Sequence, residues 1–460
     1  MTPFDNSDPR PVHFVGIAGA GMRALAELLA RRGVRVTGCD ANPGDTDDLE
    51  EIGINVLTGH DREHVVGARE IVVTSAMAKD HPELVRAREL GIPTTRRAEA
   101  LGRAVADAKV VGIAGTHGKT TTTVMTTSAL AAAGLRPTGL AGGRVAEWKG
   151  NLHYESDELF VVEADEYDRS FLSLSPTIAV VTNIEADHLD IYRDLAEISS
   201  TFARFVRGAA VIVLCADDPG ANGLELPPTA EVIRYGIHSP DARLIASEIR
   251  SIGQSTSFVV SYDSQAVGSV ALRVPGSHNV RNALAAIGVG LALGVTLDAM
   301  RDGLLQFGGV ERRFQRLCDV AGVTIVDDYA HHPTEIEATL QAARESYPGR
   351  RIVAAFQPHL FSRTRDFAEA FGGALAKADS VFLAEIYPAR EKPMAGVTSE
   401  LVAASMARAG RPATWQGMRA ELASALCDFV QDGDVVITIG AGDITRTGPE
   451  LRQRLEARGQ

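Results

Sequence analysis

The sequence predicts an α/β chain of three domains, each built on a mainly parallel sheet. Three observations carry that prediction. Short runs that are apolar almost throughout recur along the chain: VHFVGIAG, IVVTSAM, KVVGIAG, LFVVEAD, TIAVVTNI, AVIVLCAD, VTIVDDYA, RIVAAFQ, SVFLAEIY and VVITIGAG. Such runs suit parallel strands buried on both faces. Each is followed by a helix-like stretch, which implies right-handed βαβ units wound into open sheets. The length of 460 residues allows about three domains of roughly 150 residues each.

Two shifts of composition divide the chain. RAEALGRAVADAK (97–109) reads as a helix leading into the second set of strands, and LLQFGGVERRFQRL (304–317) as a glycine-containing joint before the third. Domains are therefore expected at 1–107, 108–309 and 310–460, the first and last Rossmann-like. In such sheets ligands sit outside the carboxyl ends of the strands, and the chemically telling residues here follow the strands.

Composition narrows the class. No run of 18 apolar residues offers a membrane span, and MTPFDNSDPRPVHF lacks the basic and then apolar segments of a secretory signal. Cys39, Cys215, Cys318 and Cys427 lie far apart with no CxxC, which argues against a zinc site or a disulfide framework and suits a reducing cytoplasm. The net charge is −13 and no basic stripe stands out, so no nucleic-acid partner is expected. Anionic substrates must then be held by local donors and metal ions, against the field of the whole chain.

The first local signal is GTHGKTTTT, Gly115 to Thr123, straight after the strand KVVGIAG. It has the Gly-Lys-Thr of a phosphate loop, but Ile113 stands where GxxxxGK[ST] wants its first glycine. A shorter loop still presents backbone N–H groups at a helix start, where the dipole favours an anion. Gly115, Thr116, His117, Gly118, Lys119, Thr120 and Thr121 are thus candidates for ATP phosphates, with Lys119 reaching the outer ones and the Thr120 hydroxyl on Mg²⁺. Threonine is a modest helix former; four in a row at a helix start point to hydroxyls that cap or meet phosphate oxygens. An ordinary glycine turn carrying a lysine is the bland alternative. The central domain is expected to be a P-loop-type ATPase domain.

Mg²⁺ wants hard oxygen ligands, and two strand ends supply them. LFVVEADEYDRSFL places Glu163 at a strand end with Asp165, Glu166 and Asp168 behind it; VVTNIEADHLD places Glu185, Asp187, His188 and Asp190 after the next strand. Beside a carboxylate-rich phosphate site His188 is a candidate metal ligand. At the front, GIAGAGM reads G-x-x-G-x-G rather than the dinucleotide G-x-G-x-x-G, so a nicotinamide enzyme is a weak reading. A helix N-terminus at Gly19, Ala20, Gly21 and Met22 can still take a diphosphate.

Taken in order, GTHGKTTTT, EADEYD, TNIEADHLD, PGSHNVRNALAA, GVERRFQ, DDYAHHPTEI and FQPHLFSRTRD resemble the motifs of the Mur ligases of peptidoglycan synthesis, from about residue 13 to GAGDITRTGPEL. HFVGIAGAGM and DDYAHHPTE are most similar to the branch that adds L-alanine to UDP-N-acetylmuramate. The resemblance implies a cytoplasmic, ATP-dependent ligase of cell-wall synthesis, a monomer or homodimer. It would activate the lactyl carboxylate of the sugar as an acyl phosphate, with ATP and two Mg²⁺, before an amine attacks.

Residue by residue, the resemblance implies Mg²⁺ on Thr120 and Glu163, and a second ion on His188. Many relatives bridge the ions with a carbamylated lysine, but this chain has no lysine from His188 through YGIHSP. Asn279 and Asn282 match adenine contacts; a helix cap or surface polar role is the alternative. Arg313, at the second joint, would grip phosphates, or else form an interdomain salt bridge. Asp40, His60 and Ser75 join the front loop as UDP-sugar neighbours. Asp327 and His331 would orient ATP and the amine. Tyr329, His331, His359 and Arg363 would receive the amino acid, with Arg363 on its carboxylate. Leu360 stands where relatives often carry a second arginine, and the segment 384–399 is read as shaping the pocket. A branch that attaches a murein tripeptide, a nicotinamide-dependent oxidoreductase and a non-catalytic nucleotide-binding regulator are the rival readings.

Overall fold

The computed structural model describes residues 4–44, 46–74 and 77–458. The first sheet contains β1 (Val12–Val15), β2 (Val36–Asp40), β3 (Asn55–Thr58), β4 (Glu70–Val73) and β5 (Thr94–Arg96), all parallel in the order β3-β2-β1-β4-β5. The strand order reverses beside β1, so the crevice at its carboxyl end opens towards the glycine loop and the helix Ala20–Arg31.

The second sheet has ten strands: β6 (Lys109–Ala114), β7 (Pro137–Val145), β8 (Gly150–His153), β9 (Leu159–Glu163), β10 (Ile178–Val181), β11 (Val211–Cys215), β12 (Glu231–Gly236), β13 (Leu244–Ile252), β14 (Ser255–Tyr262) and β15 (Gln265–Leu272). Its order is β15-β14-β13-β12-β11-β10-β6-β9-β7-β8. The strands from β13 to β7 are parallel, and antiparallel hairpins close both edges. β14 alternates buried and exposed residues, as a strand covered on one face must.

The third sheet holds β16 (Gln315–Val320), β17 (Val323–Asp328), β18 (Ile352–Phe356), β19 (Ser380–Ala384), β20 (Trp415–Gly417) and β21 (Val435–Ile439), in the order β16-β17-β21-β18-β19-β20. Only β16 runs antiparallel to its neighbour. All ten apolar runs of the sequence are strands, and α/β layering in three units holds throughout.

What places the site is the packing of the central sheet. One apolar cluster runs from the first sheet through the helix Arg97–Ala104 into one face of the second sheet, with Phe14, Leu101, Phe160 and Phe202 fully or almost fully buried. A second cluster fills the opposite face beneath three helices, Lys119–Ala132, Ser277–Ala292 and Leu297–Gln306. The phosphate-loop helix is thus wedged in the core. Gly303 lets the last helix come close: a Cβ there would lie 2.2 Å from the Ser128 carbonyl oxygen. Gly303→Ala is expected to push these helices apart and destabilise the chain by about 1–3 kcal/mol, read as a lower urea midpoint at unchanged slope.

Candidate active site

The loop after β6 needs its glycines. Gly115 has φ +145 and a Cβ would lie 1.9 Å from Thr182 Oγ1; Gly118 has φ +80 and its Cβ would lie 2.7 Å from Asn282 Oδ1. The exit of β10 scaffolds the loop. Asn183 accepts from the Thr116 N–H through its carbonyl at 3.1 Å and from the His117 N–H through its side chain at 2.7 Å. Thr182 donates to the His117 carbonyl at 2.6 Å. A backbone so pinned can hold its free N–H groups towards an anion without reorganising.

Lys119 folds back over the loop, donating to the carbonyls of Gly115 at 2.6 Å and Thr116 at 3.2 Å and to Glu166 Oε2 at 2.7 Å. Burial alone would discharge it, but Glu166 and then Asp165 and Glu163 push its pKa up, so it stays an ammonium. Thr120 Oγ1 lies 3.1 Å from Glu163 Oε1, while the other Glu163 oxygen accepts from the Gly142 N–H. Burial raises the Glu163 pKa in spite of that N–H, so its carboxylate is poised for a cation. His188, in the left-handed region at φ +53, brings Nε2 to 3.6 Å from Glu166 Oε1, an oxygen that is buried without a hydrogen bond.

Of the four threonines, Thr120 and Thr121 face the site. Thr122 donates to Asn282 at 3.2 Å, and Thr123 is fully buried. The helix turns the rest of the run into the core.

Two adjoining hollows share this loop. One is lined by His117, Thr121, Asn279, Asn282, Arg313 and Asp328. Asn279 and Asn282 are buried on the helix Ser277–Ala292 and bonded to each other at 3.3 Å, with Asn279 also donating to the Pro275 carbonyl. The second hollow gathers all three domains: Ala20, Gly21 and Arg97 from the first, Lys119, Glu163 and His188 from the second, Tyr329 and His331 from the third, with Arg313 in both. Tyr329 lies under the guanidinium groups of Arg312 and Arg313, at 4.8 and 5.1 Å from its ring centre.

The third domain closes on the loops of the second. His117 Nδ1 lies 3.2 Å from Glu335, Thr334 donates to Glu185 at 2.6 Å, and Arg363 donates to Asp187 Oδ1 at 2.7 Å with both side chains buried. Burial would raise the Asp187 pKa, but Arg363 holds it well below the ordinary carboxylate range. His331 and His332 point apart: His331 Nδ1 meets the Tyr329 carbonyl at 3.1 Å, while the His332 ring lies 4.7 Å from that of His117. Burial keeps His331 and His359 neutral, with pKa values lowered to about 3 and about 4. His359 stacks on Tyr387 of the 384–399 segment at 5.8 Å.

Some expected residues fall elsewhere. Asp327 faces away from the nucleotide hollow, receiving hydrogen bonds from Arg312, Thr438 and Thr445; strand alternation gives the lining position to Asp328. The Met22 side chain is in the core, which leaves its backbone for any anion. Gly19 begins the helix Ala20–Arg31 with no side-chain cap, and Asp40 braces the glycine loop by accepting from the Ala18 N–H at 3.2 Å. Asp40 and His60 line neither hollow. Ser75 lies outside the described residues. Arg97, Arg312, Asp328 and Glu335 escaped the sequence reading. Three of them sit inside motifs already singled out, whereas Arg97 carries no local signal.

A glycine loop at the meeting point of three α/β domains, with a lysine, a threonine–glutamate pair and Arg313 lining the same hollow, has the parts of a nucleotide-dependent ligase centre, whereas Arg363 and His359 line neither hollow. Comparison gives the class: Mur ligase family domains match in succession, the catalytic domain over residues 11–109, the middle domain over 113–290 and the glutamate ligase domain over 312–442. The chain belongs to the Mur ligase family. Among its relatives, the UDP-N-acetylmuramate–L-alanine ligase of Salinibacter ruber is 43% identical over 97% of this chain and 95% of its own. That of Geotalea uraniireducens is also 43% identical, over 97% and 98%. The crystal structure of the UDP-N-acetylmuramate–alanine ligase of Thermotoga maritima superposes with a TM-score of 0.84 at 28% identity, covering 98% of this chain and 100% of that one. A murein peptide ligase of Psychrobacter arcticus gives 0.72 at 25% identity, over 97% and 98%. Family membership sets the oxidoreductase reading aside.

The His117 contact generates a pH prediction. Burial would lower its pKa, but Glu335 and Glu185 raise it from 6.5 to about 9. A raised pKa means that its stabilising contribution is complete below about pH 6.5 and is lost as pH rises through about 9. The thermal midpoint should therefore fall across that window, and His117→Gln should flatten this part of the profile.

Proposed function

We propose that this chain joins L-alanine to the lactyl carboxylate of UDP-N-acetylmuramate, using ATP and passing through an acyl phosphate, with ADP and phosphate as products. The observation that carries the reading is the second hollow, where the helix start of the first domain, the phosphate loop of the second and Tyr329 and His331 of the third converge, with Arg363 bonded behind it to the lining residue Asp187. It is supported by the near full-length identity to ligases of that name.

The UDP moiety lies along the N-terminus of the helix Ala20–Arg31, with Arg97 beside it; Asp40 and Ser75 stay proposed neighbours of that moiety, whereas His60 is turned to Cys39 and Glu83. Adenine lies against Asn279 and Asn282, whose amides offer both donors and acceptors, and Asp328 takes the part first expected of Asp327. Lys119 and the loop N–H groups hold the outer phosphates, and Arg313 adds charge from the joint. Positioning and charge dominate phosphoryl transfer, so these groups supply most of the catalysis. The Thr120–Glu163 separation of 3.1 Å fits adjacent oxygens around octahedral Mg²⁺, which stand about 3 Å apart. His188 and the unbonded Glu166 oxygen form a second hard position, which lets two ions take part without the carbamylated lysine. Held at these residues, Mg²⁺ would neutralise phosphate charge.

Arg363 takes the alanine carboxylate, and His331 and His359, both neutral, orient the amine; Tyr329 walls the pocket. The near full-length identity to alanine-adding ligases favours alanine over a tripeptide. We place the enzyme in the cytoplasm, as a monomer or homodimer with domain limits near 107 and 309. Among the described residues no helix is long and apolar enough to cross a membrane.

Phosphate release should require both UDP-N-acetylmuramate and L-alanine, and ¹⁸O in the lactyl carboxylate should appear in the phosphate. Release with a tripeptide but not with alanine, or phosphate free of label, overturns the reading. Lys119→Ala should lower kcat by at least about 100-fold while UDP-sugar binding persists. Arg363→Ala should raise the KM for alanine by at least about tenfold, with a smaller change in the KM for ATP.

A further inference from the structure

We propose that the first domain carries a metal site of its own, for a zinc-class divalent cation, built from Cys39, His60, His81 and Glu83. Glu83 is fully buried at the start of the helix Pro82–Leu90. Cys39 Sγ, from β2, lies 3.1 and 3.3 Å from its two oxygens; His64 Nδ1 lies 3.0 Å away, His60 Nδ1 3.6 Å and His81 Nδ1 3.9 Å. His60 Nδ1 is also 3.4 Å from Cys39 Sγ. Around tetrahedral zinc, with bonds of about 2.0–2.3 Å, neighbouring ligand atoms stand roughly 3.3–3.8 Å apart. The Cys39, His60 and Glu83 atoms are spaced close to that shell, with His81 joining it through Glu83, and they are the ligand types zinc takes.

Unpaired nitrogens point the same way. His81 Nδ1 is buried without a hydrogen bond, and so is Nε2 of the fully buried His13. Buried polar atoms are nearly always satisfied, and a cation satisfies these. Ligand atoms of His60, His81 and Glu83 fall within 4.8 Å of one another, as do those of His13, Cys39 and Glu83. His13 is the reserve ligand on the cysteine side, oriented by Nδ1 against Thr37 Oγ1 at 2.9 Å. His60 is partly exposed and gives the ion a way in. None of these residues lines the two hollows of the active site.

The ion ties the end of β2, the turn after β3 and the start of the helix Pro82–Leu90. Burial and Glu83 raise the Cys39 pKa, so binding releases a proton. The scattered cysteines, read as an argument against zinc, hid the site, because its ligands come from separate segments and only one is a cysteine.

The test is a Zn²⁺ titration of the chelator-stripped full-length protein against a chromophoric chelator in excess Mg²⁺. Tight Zn²⁺ binding is expected, and Co²⁺ in its place should give a thiolate-to-cobalt charge-transfer band. Cys39→Ser should abolish the band. Cys39→Ser and His81→Asn should each weaken this ion's binding by more than about tenfold, the scale on which even outer partners of metal ligands act. Circular dichroism checks that each variant is folded, and the cobalt spectrum of the parent stands without either. Absence of tight Zn²⁺ binding, a cobalt complex without the sulfur band, or unchanged affinity in both variants, as when the ion sits at His117, Glu185 and His332, overturns the proposal.

Discussion

The buried pair of Lys119 and Glu166 is the constraint on which the rest of the site depends. An ammonium this deep in the protein would discharge on its own; Glu166 at 2.7 Å keeps it charged, with Asp165 and Glu163 adding to the effect. The same pattern repeats around the hollows, with Arg363 on Asp187 and His117 on Glu335. In a chain of net charge −13, an anion that engages Lys119, His117 or Arg363 does not find that group free. It must exchange with carboxylates already seated there. A phosphate that takes the Lys119 ammonium leaves Glu166 buried and unpaired, which costs several kcal/mol unless a cation arrives too. His188 and the unbonded Glu166 oxygen mark where such a cation is wanted, so the pairing favours a nucleotide that brings its own divalent ion.

Closure of the third domain uses the same currency of charge. The loops after β6 and β10 offer His117, Glu185 and Asp187; the facing segments offer Thr334, Glu335 and Arg363. Every one of these contacts lies within a few residues of a group assigned to nucleotide or amino acid. Domain closure and substrate binding therefore compete for the same hydrogen bonds. An amino-acid carboxylate that engages Arg363 substitutes for Asp187, so the incoming substrate adjusts the joint that positions it.

Much of this was legible in the sequence because it is local. Ten doubly buried strands show as apolar runs, the glycine loop after β6 shows as glycines around a lysine, and the carboxylates that line the hollows show as acids just past strand ends. What was hidden depends on register or on distance. Asp327 and Asp328 are equal in sequence, and only the pleat of β17 decides which one lines the first hollow. β14 and β15 alternate rather than run apolar, so the antiparallel edge lay outside the pattern sought. Arg97 reaches the second hollow because Gly21 leaves room: a Cβ there would lie 2.9 Å from the Arg97 guanidinium. No spacing rule links those two positions.

Backbone strain ties these threads together. His188, Arg312 and Leu360 all have positive φ, at +53, +61 and +70, and none is a glycine. Such conformations cost of order 1–3 kcal/mol each and persist only where the surroundings over-determine them. Here they do. The His188 carbonyl accepts from Ile191 and Tyr192, the Arg312 N–H donates to Gln315 at 2.8 Å while its carbonyl accepts from Tyr329 at 2.6 Å, and the Leu360 N–H donates to Tyr387 at 3.0 Å. Each strained residue stands next to a side chain of the site: Asp187 before His188, Arg313 after Arg312, His359 before Leu360. The turn at each point aims the neighbour inward. At His188 and Arg312 the strained residue itself lines the second hollow, so a glycine there would relieve the strain only by removing a side chain of the site.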